Sequence, residues 1–172
     1  MSEPFNKYSQ KLTFCMMTYQ FIEFGLKHCL IRCHATVKFR LDGYLPYEIP
    51  LTTIEDAPLG KLIELYKPYT TNTPLIQELR KIKKDRDMIA HQGYLLTLEE
   101  QADGEFLIKQ ADALEASHRQ ADECMKKLHI EMGATDRIVS DAYAELRSRR
   151  LDQGDSLPES PNIPAIVDLP PR

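Results

Sequence analysis

No stretch of this chain approaches the ~20 consecutive apolar residues that a membrane-crossing helix requires, so no membrane span is expected. Glycine is scarce: its seven residues are scattered, and none builds the loop that cradles phosphates in NTPases. His-Glu-x-x-His, Cys-x-x-Cys pairs and Gly-x-Ser-x-Gly are missing too. Their absence removes the common metalloprotease, zinc-ribbon and serine-hydrolase readings. The opening residues, Met1-Ser2-Glu3-Pro4-Phe5, hold no basic region followed by an apolar core. A secretory signal is therefore not expected, and a cytoplasmic protein is. Positive charge is not in excess either. A net charge of -4 argues against non-specific coating of nucleic acid, although it leaves room for a local site.

The four cysteines, Cys15, Cys29, Cys33 and Cys124, are expected as reduced, buried thiols, three of them within one apolar helix. His28-Cys29 and Cys33-His34 raise a metal-dependent reading. Structural zinc sites usually join two separated ligand pairs, whereas these ligands form one compact cluster, so neither metal nor cofactor is expected.

The 172 residues, 42% hydrophobic and 28% charged, suit one domain able to bury a core without disulfides or metal. Periodicity predicts an all-α protein. Phe5 to about Phe39 reads as a long, mostly buried helix with Phe14, Met17, Phe21, Phe24 and Cys29 on its apolar side. Leu41 to Pro58 reads as irregular, with room for a short extended piece, because Pro46, Pro50 and Pro58 interrupt any helix. A short helix is expected over Leu59–Tyr66, and another opens at Thr73-Pro74, with Thr73 as N-cap, and runs to about Gln92. Tyr94 to Phe106 reads as a connector. The last helix begins near Leu107. Its stripe of Leu107, Ala111, Leu114, His118, Ala121, Met125, Leu128 and Met132 continues through Thr135, Val139, Ala142 and Leu146. A bend is expected at Gly133, and the surplus length predicts that the distal part folds back or packs on another chain. The domain is thus read as residues 1–150. Residues 151–172, with five prolines between Pro158 and Pro171, read as an extended or disordered tail.

The sharpest chemistry lies in Arg86-Asp87-Met88-Ile89-Ala90-His91. Leu75, Leu79, Ile82, Arg86 and Ile89 recur at spacings of four and three, so Arg86 occupies a slot that the helical stripe reserves for an apolar side chain. A guanidinium does not shed its charge. Either a carboxylate meets it, or the seam opens there into a site for an anion. Asp87 and His91 are four apart, which lets the carboxylate orient the imidazole. Arg80, Lys83 and Lys84 form a basic run just upstream. His118 is the other polar residue in an apolar stripe, read first as a core histidine and second as a contributor to the Arg86 site. This chemistry suits metal-independent RNA cleavage: His91 moves the proton of the 2′-hydroxyl or the 5′-oxygen, and Arg86 stabilises the phosphorane.

The nine residues from Arg86 to Tyr94 resemble the motif of the HEPN superfamily: Arg, a polar residue, three variable residues and His, near the end of the third helix of an all-α bundle. The resemblance implies an up-and-down bundle of about four main helices plus a short one. It also implies a homodimer that joins two motifs in a cleft as an endoribonuclease, leaving 2′,3′-cyclic phosphate or 3′-phosphate ends. Arg86 and His91 are then catalytic, Asp87 supports them, and Arg80, Lys83, Lys84 and Tyr94 contact the RNA. Toxin or phage-defence roles, with a cognate antitoxin or regulatory protein as partner, go with that family. One branch is silenced by modification of a Tyr two residues beyond the His. Here that position is Gly93 and the Tyr follows at Tyr94, which puts that regulation in doubt. The competing reading is a non-catalytic helical module that binds a nucleotide or an anionic partner.

Overall fold

The structure, a computed structural model, describes residues 2–93 and 95–154. Tyr94 and the proline-rich segment from residue 155 lie outside the described residues. The described chain is all-helical: α1 (Glu3–Leu41), α2 (Leu51–Glu55), α3 (Leu59–Tyr66), a 3-10 turn (Lys67–Tyr69), α4 (Thr73–Gln92), α5 (Leu98–Ala102) and α6 (Gly104–Gln153). Among the described residues, no helix is long and apolar enough to cross a membrane.

Two long helices, α1 and α6, dominate the packing. Their contacts climb together: Lys11 pairs with Glu115, Gly25 abuts Leu128, His28 meets Asp136, and Phe39 packs on Tyr143. The helices therefore run parallel. α1 buries Tyr8, Leu12, Cys15, Tyr19, Ile22, Leu26 and Cys29, a strict four–three alternation that keeps one seam on its partners. α6 buries the matching series expected from its sequence, except that His118 and Met125 are only half-buried. At Gly25 an added Cβ would come within 2.9 Å of Leu128 Cδ2, so glycine lets the two backbones approach closely there.

The expected bend at Gly133 is replaced by a continuous helix of 50 residues, ~75 Å of rise. Its distal part neither folds back nor lacks a partner. Val139, Ala142 and Leu146 make a second core with Ala35 and Phe39 of α1. A parallel α1 of 39 residues accommodates the surplus length within the chain.

α4 runs the other way. Asn72 reaches Glu131 near one end, Glu78 pairs with Lys127, and the Gly93 carbonyl meets Tyr8 at the other. α3 is antiparallel to α4, because Glu64 pairs with Arg80 and Gly60 lies against Lys83. Between α1 and α3 the chain descends along α1, with Tyr47 against His34 and the Glu55 carbonyl accepting from Lys27 at 2.7 Å. That segment, read as irregular with room for a short extended piece, holds the short α2 and no strand.

Three further local expectations are corrected. Asn72, not Thr73, caps α4, its Oδ1 accepting from the Leu75 amide at 3.1 Å. The connector after α4 contains α5, started by a reciprocal capping box between Thr97 and Glu100. Most consequentially, Phe14, Met17, Phe21 and Phe24 are exposed, not core. α1 carries two apolar stripes, and α4 and α6 take the other one.

Candidate functional site

α4 is built to present its last turns. Its cap and Pro74 fix the start, and Leu75, Ile76, Leu79, Ile82 and Ile89 bury the inner face. α3 covers α4 only as far as Lys83, whose aliphatic stem lies 3.3 Å from where a Cβ on Gly60 would be. Arg86 falls one turn beyond that cover. This is why a charge is tolerated in an apolar slot: its side chain is half-buried and still reaches water.

Its carboxylate partner is the next residue. Arg86 Nη1 donates to Asp87 Oδ1 at 3.2 Å, while Lys83 Nζ sits 2.6 Å from Asp87 Oδ2. Lys83, with Arg86 as the lesser contributor, holds the Asp87 carboxyl below the usual carboxylate range. Both Asp87 oxygens are thus engaged by cations, and neither bonds His91. The expected orienting pair is not formed. His91 itself is exposed on the last turn of α4. Among the other expected residues, Arg80 is tied to Glu64 by two hydrogen bonds of 3.1 and 2.6 Å, and Lys84 projects to solvent. Tyr94 lies outside the described residues.

Beside this turn lies an open cavity of about 480 Å³, lined by Tyr8, Met88, Ile89, Gly93, Phe106 and Gln110 among others. The Tyr8 hydroxyl donates to the Gly93 carbonyl at 2.5 Å and so ties the end of α4 to α1. Gly93 is sterically demanded. A Cβ there would lie 2.7 Å from the Ile89 carbonyl oxygen and 2.8 Å from Leu12 Cδ1. Tyr8, Phe106 and Gln110 are far apart in sequence, because the cavity joins three helices distant along the chain. No local pattern marks them.

The remaining polar oddities lie elsewhere. His118 is half-buried on α6, one turn from Glu115, and no hydrogen bond joins it to Arg86. His28 Nε2 is 3.0 Å from Asp136 Oδ1, which also takes Arg32 at 2.8 Å, whereas His34 faces Tyr47. All four cysteines are free. Burial pushes the Cys29 thiol up to about 12 and the Cys33 thiol to about 11, as expected of inert thiols. Among the described residues, no group of three or more His, Cys, Asp or Glu side chains is placed to hold a metal ion.

The chain is thus an all-helical protein whose candidate site is a half-open Arg with an exposed His five residues later. No protein-family model, curated protein or solved structure matches it.

Proposed function

We propose that the C-terminal end of α4 is the catalytic face of a metal-independent endoribonuclease of HEPN type, working as a homodimer. One observation carries the reading: a guanidinium placed in an apolar stripe where α3 runs out, half-open and held, among the described residues, by its neighbour Asp87. A permanent charge put there without a buried partner is a charge kept for a ligand. The exposed His91 supplies proton transfer on the same turns. α3, α4 and α6 alternate in direction, as consecutive helices of a HEPN-like bundle would, while the parallel α1 and α6 depart from a strict up-and-down order.

In the reaction, the 2′-oxygen attacks phosphorus while His91 takes its proton. The P–O5′ bond breaks, and the leaving 5′-oxygen takes a proton from His91 of the second copy. Arg86 stabilises the charge that builds on the phosphorane, and water later opens the 2′,3′-cyclic phosphate to a 3′-phosphate. Asp87 holds Arg86 rather than His91. Lys83 and Lys84, with Arg80 and Tyr94 as further contacts, follow the RNA backbone. A toxin or phage-defence role with a cognate antitoxin fits such an activity. The steric demand at Gly93 keeps any side chain from that position, so a modified tyrosine, if used, is Tyr94.

The test is cleavage of RNA in EDTA with analysis of the product ends. The expected result is cyclic or 3′-phosphate termini, lost in a folded His91→Ala protein. Unchanged cleavage by that variant overturns the proposal. A second reading draws on the cavity, whose volume of about 480 Å³ is in the range of small-molecule sites: a non-catalytic nucleotide-binding module. Saturable nucleotide binding without RNA cleavage selects it.

A further inference from the structure

The cavity beside the last turns of α4 keeps charge and shape apart. Among the described residues its wall carries one charged group, the Glu100 carboxylate, and no lysine or arginine. A site built for phosphate gathers cations, and this wall has none. The cations lie outside it, on Lys83, Lys84 and Arg86 of α4. The wall offers instead apolar surface from Ile89, Leu114 and the half-buried Phe106, with neutral hydrogen-bonding groups from Gln110 and Ser117. Glu100 Oε2 accepts from the Thr97 amide at 2.8 Å and the Thr97 hydroxyl at 3.0 Å. No hydrogen bond from a described residue reaches its Oε1.

We propose that this cavity takes one base of the RNA, a guanine beside the bond that is cut, while the phosphate stays outside on Arg86. The proposal rests on the ribonuclease reading and adds its base specificity. Ile89 stands one turn beyond Arg86 on the same stripe, ~4.5 Å along the helix, and is part of the wall. Met88 and Gly93, also in the wall, lie on either side of His91 in the chain. The cavity therefore begins within a turn of both residues that act on the phosphate. A base splayed out of a single strand is read by stacking on an aromatic ring and by hydrogen bonds to its edge. Phe106 supplies the ring. The edge has to suit an acceptor, since Glu100 is the charged group there. Guanine sets two donors side by side, N1–H and the N2 amino group, and leaves O6 and N7 for donors from Gln110 and Ser117. Adenine and cytosine set their amino group beside an unprotonated ring nitrogen, and uracil has one donor between two carbonyls. Each of these turns an acceptor toward the carboxylate. All the groups named belong to one chain, so the pocket is complete without the second copy.

Two measurements on the full chain test it. The first is calorimetric titration with guanosine 3′-monophosphate, uridine 3′-monophosphate and inorganic phosphate. Guanosine 3′-monophosphate is expected to bind with Kd below about 1 mM, and the other two about 10-fold more weakly or worse. Phe106→Leu, which keeps an apolar side chain but removes the ring, should weaken it about 10-fold. Glu100→Gln retains a residue that serves the capping box, so α5 keeps its start, and it should bring guanosine and uridine nucleotides level. That variant reads the pocket if the leucine disturbs folding. The second measurement is sequencing of the ends left on a random RNA pool. Guanine is expected at one fixed position next to the cut, and the preference should vanish with Glu100→Gln. Nucleotides that bind no better than phosphate overturn the inference, as does cleavage indifferent to base. A guanosine preference that neither variant alters overturns it too. The ribonuclease reading fails separately. Guanosine binding that both variants weaken, in a protein that cleaves no RNA, refutes the nuclease and leaves the guanine pocket standing.

Discussion

Replacing Arg86 by Met distinguishes a residue kept for the fold from one kept for a ligand. The ion pair lost is Arg86 to Asp87 at 3.2 Å, with both side chains about a third exposed. Solvent screening leaves such a pair worth about 0–1 kcal/mol. Asp87 is not orphaned, because Lys83 still holds it at 2.6 Å. On the other side, the methionine enters the slot between Ile82 and Ile89, both buried. Burial is worth about 0.8 kcal/mol per methylene, but the arginine stem already covers much of that surface, so the gain is under about 1 kcal/mol. The two terms nearly cancel. Arg86→Met should therefore alter stability by no more than about 1 kcal/mol, moving Tm by roughly 2–4 °C at most. RNA cleavage should fall by about 100-fold or more, the usual loss when a transition-state donor is removed. Urea and thermal unfolding followed by circular dichroism, beside a cleavage assay, read both quantities. A loss of more than about 3 kcal/mol would mark Arg86 as half of a buried structural pair and refute the reasoning. Full stability with full cleavage would refute it from the other side.

Glu131 accepts from Tyr66 at 3.1 Å, Thr70 at 3.5 Å and Asn72 at 2.8 Å, clamping the turn between α3 and α4 onto α6. Glu131→Ala leaves those donors without their acceptor and should cost about 1–3 kcal/mol in chemical denaturation; a neutral result would mean that water serves them equally well. The thiols carry a pH signature. Cys29 and Cys124 are pushed up to about 12 and Cys33 to about 11, chiefly by burial. Only about a thousandth or less of each is thiolate at pH 8, so alkylation of the native protein should be slow and should follow unfolding. An acid whose folded-state pKa is raised loses its proton first in the unfolded chain. Stability is then complete below the ordinary thiol range near ~8.5 and declines as pH rises from there towards 11–12. Rapid labelling of Cys29 or Cys124 in the folded protein would contradict their placement.

Much of the architecture was legible from periodicity. The stripe from Leu107 to Leu146 marked the inner face of α6, and Pro74 marked the first turn of α4, because both signals are local and repeat. α1 misled for a physical reason. It carries two apolar stripes at the same spacing, and only the packing of α4 and α6 decides which is core. The capping box at Thr97 and Glu100 was a readable sign of α5 within what passed for a connector. The candidate site was half-legible. Arg86 announced itself as a charge in an apolar register, but its half-open state depends on where α3 ends, and that is a tertiary fact. The spacing of Asp87 and His91 permits a contact that Lys83 and Arg86 pre-empt, since two full positive charges outcompete an exposed imidazole for one carboxylate. Tyr8, Phe106 and Gln110 could not have been grouped by any reading of neighbouring residues.

The parallel pairing of α1 and α6 also sets an order of events in synthesis. Helical bundles usually fold fast because each helix meets the next one along the chain. Here the first helix finds its principal partner only when the last has been made, since Lys11 waits for Glu115 and Phe39 for Tyr143. Until then α1 carries apolar side chains on two opposite faces, Cys15, Tyr19 and Ile22 on one and Phe14, Met17 and Phe21 on the other. The nascent chain therefore passes through a stage at which its stickiest element is complete and uncovered, a stage at which association with other chains competes with folding.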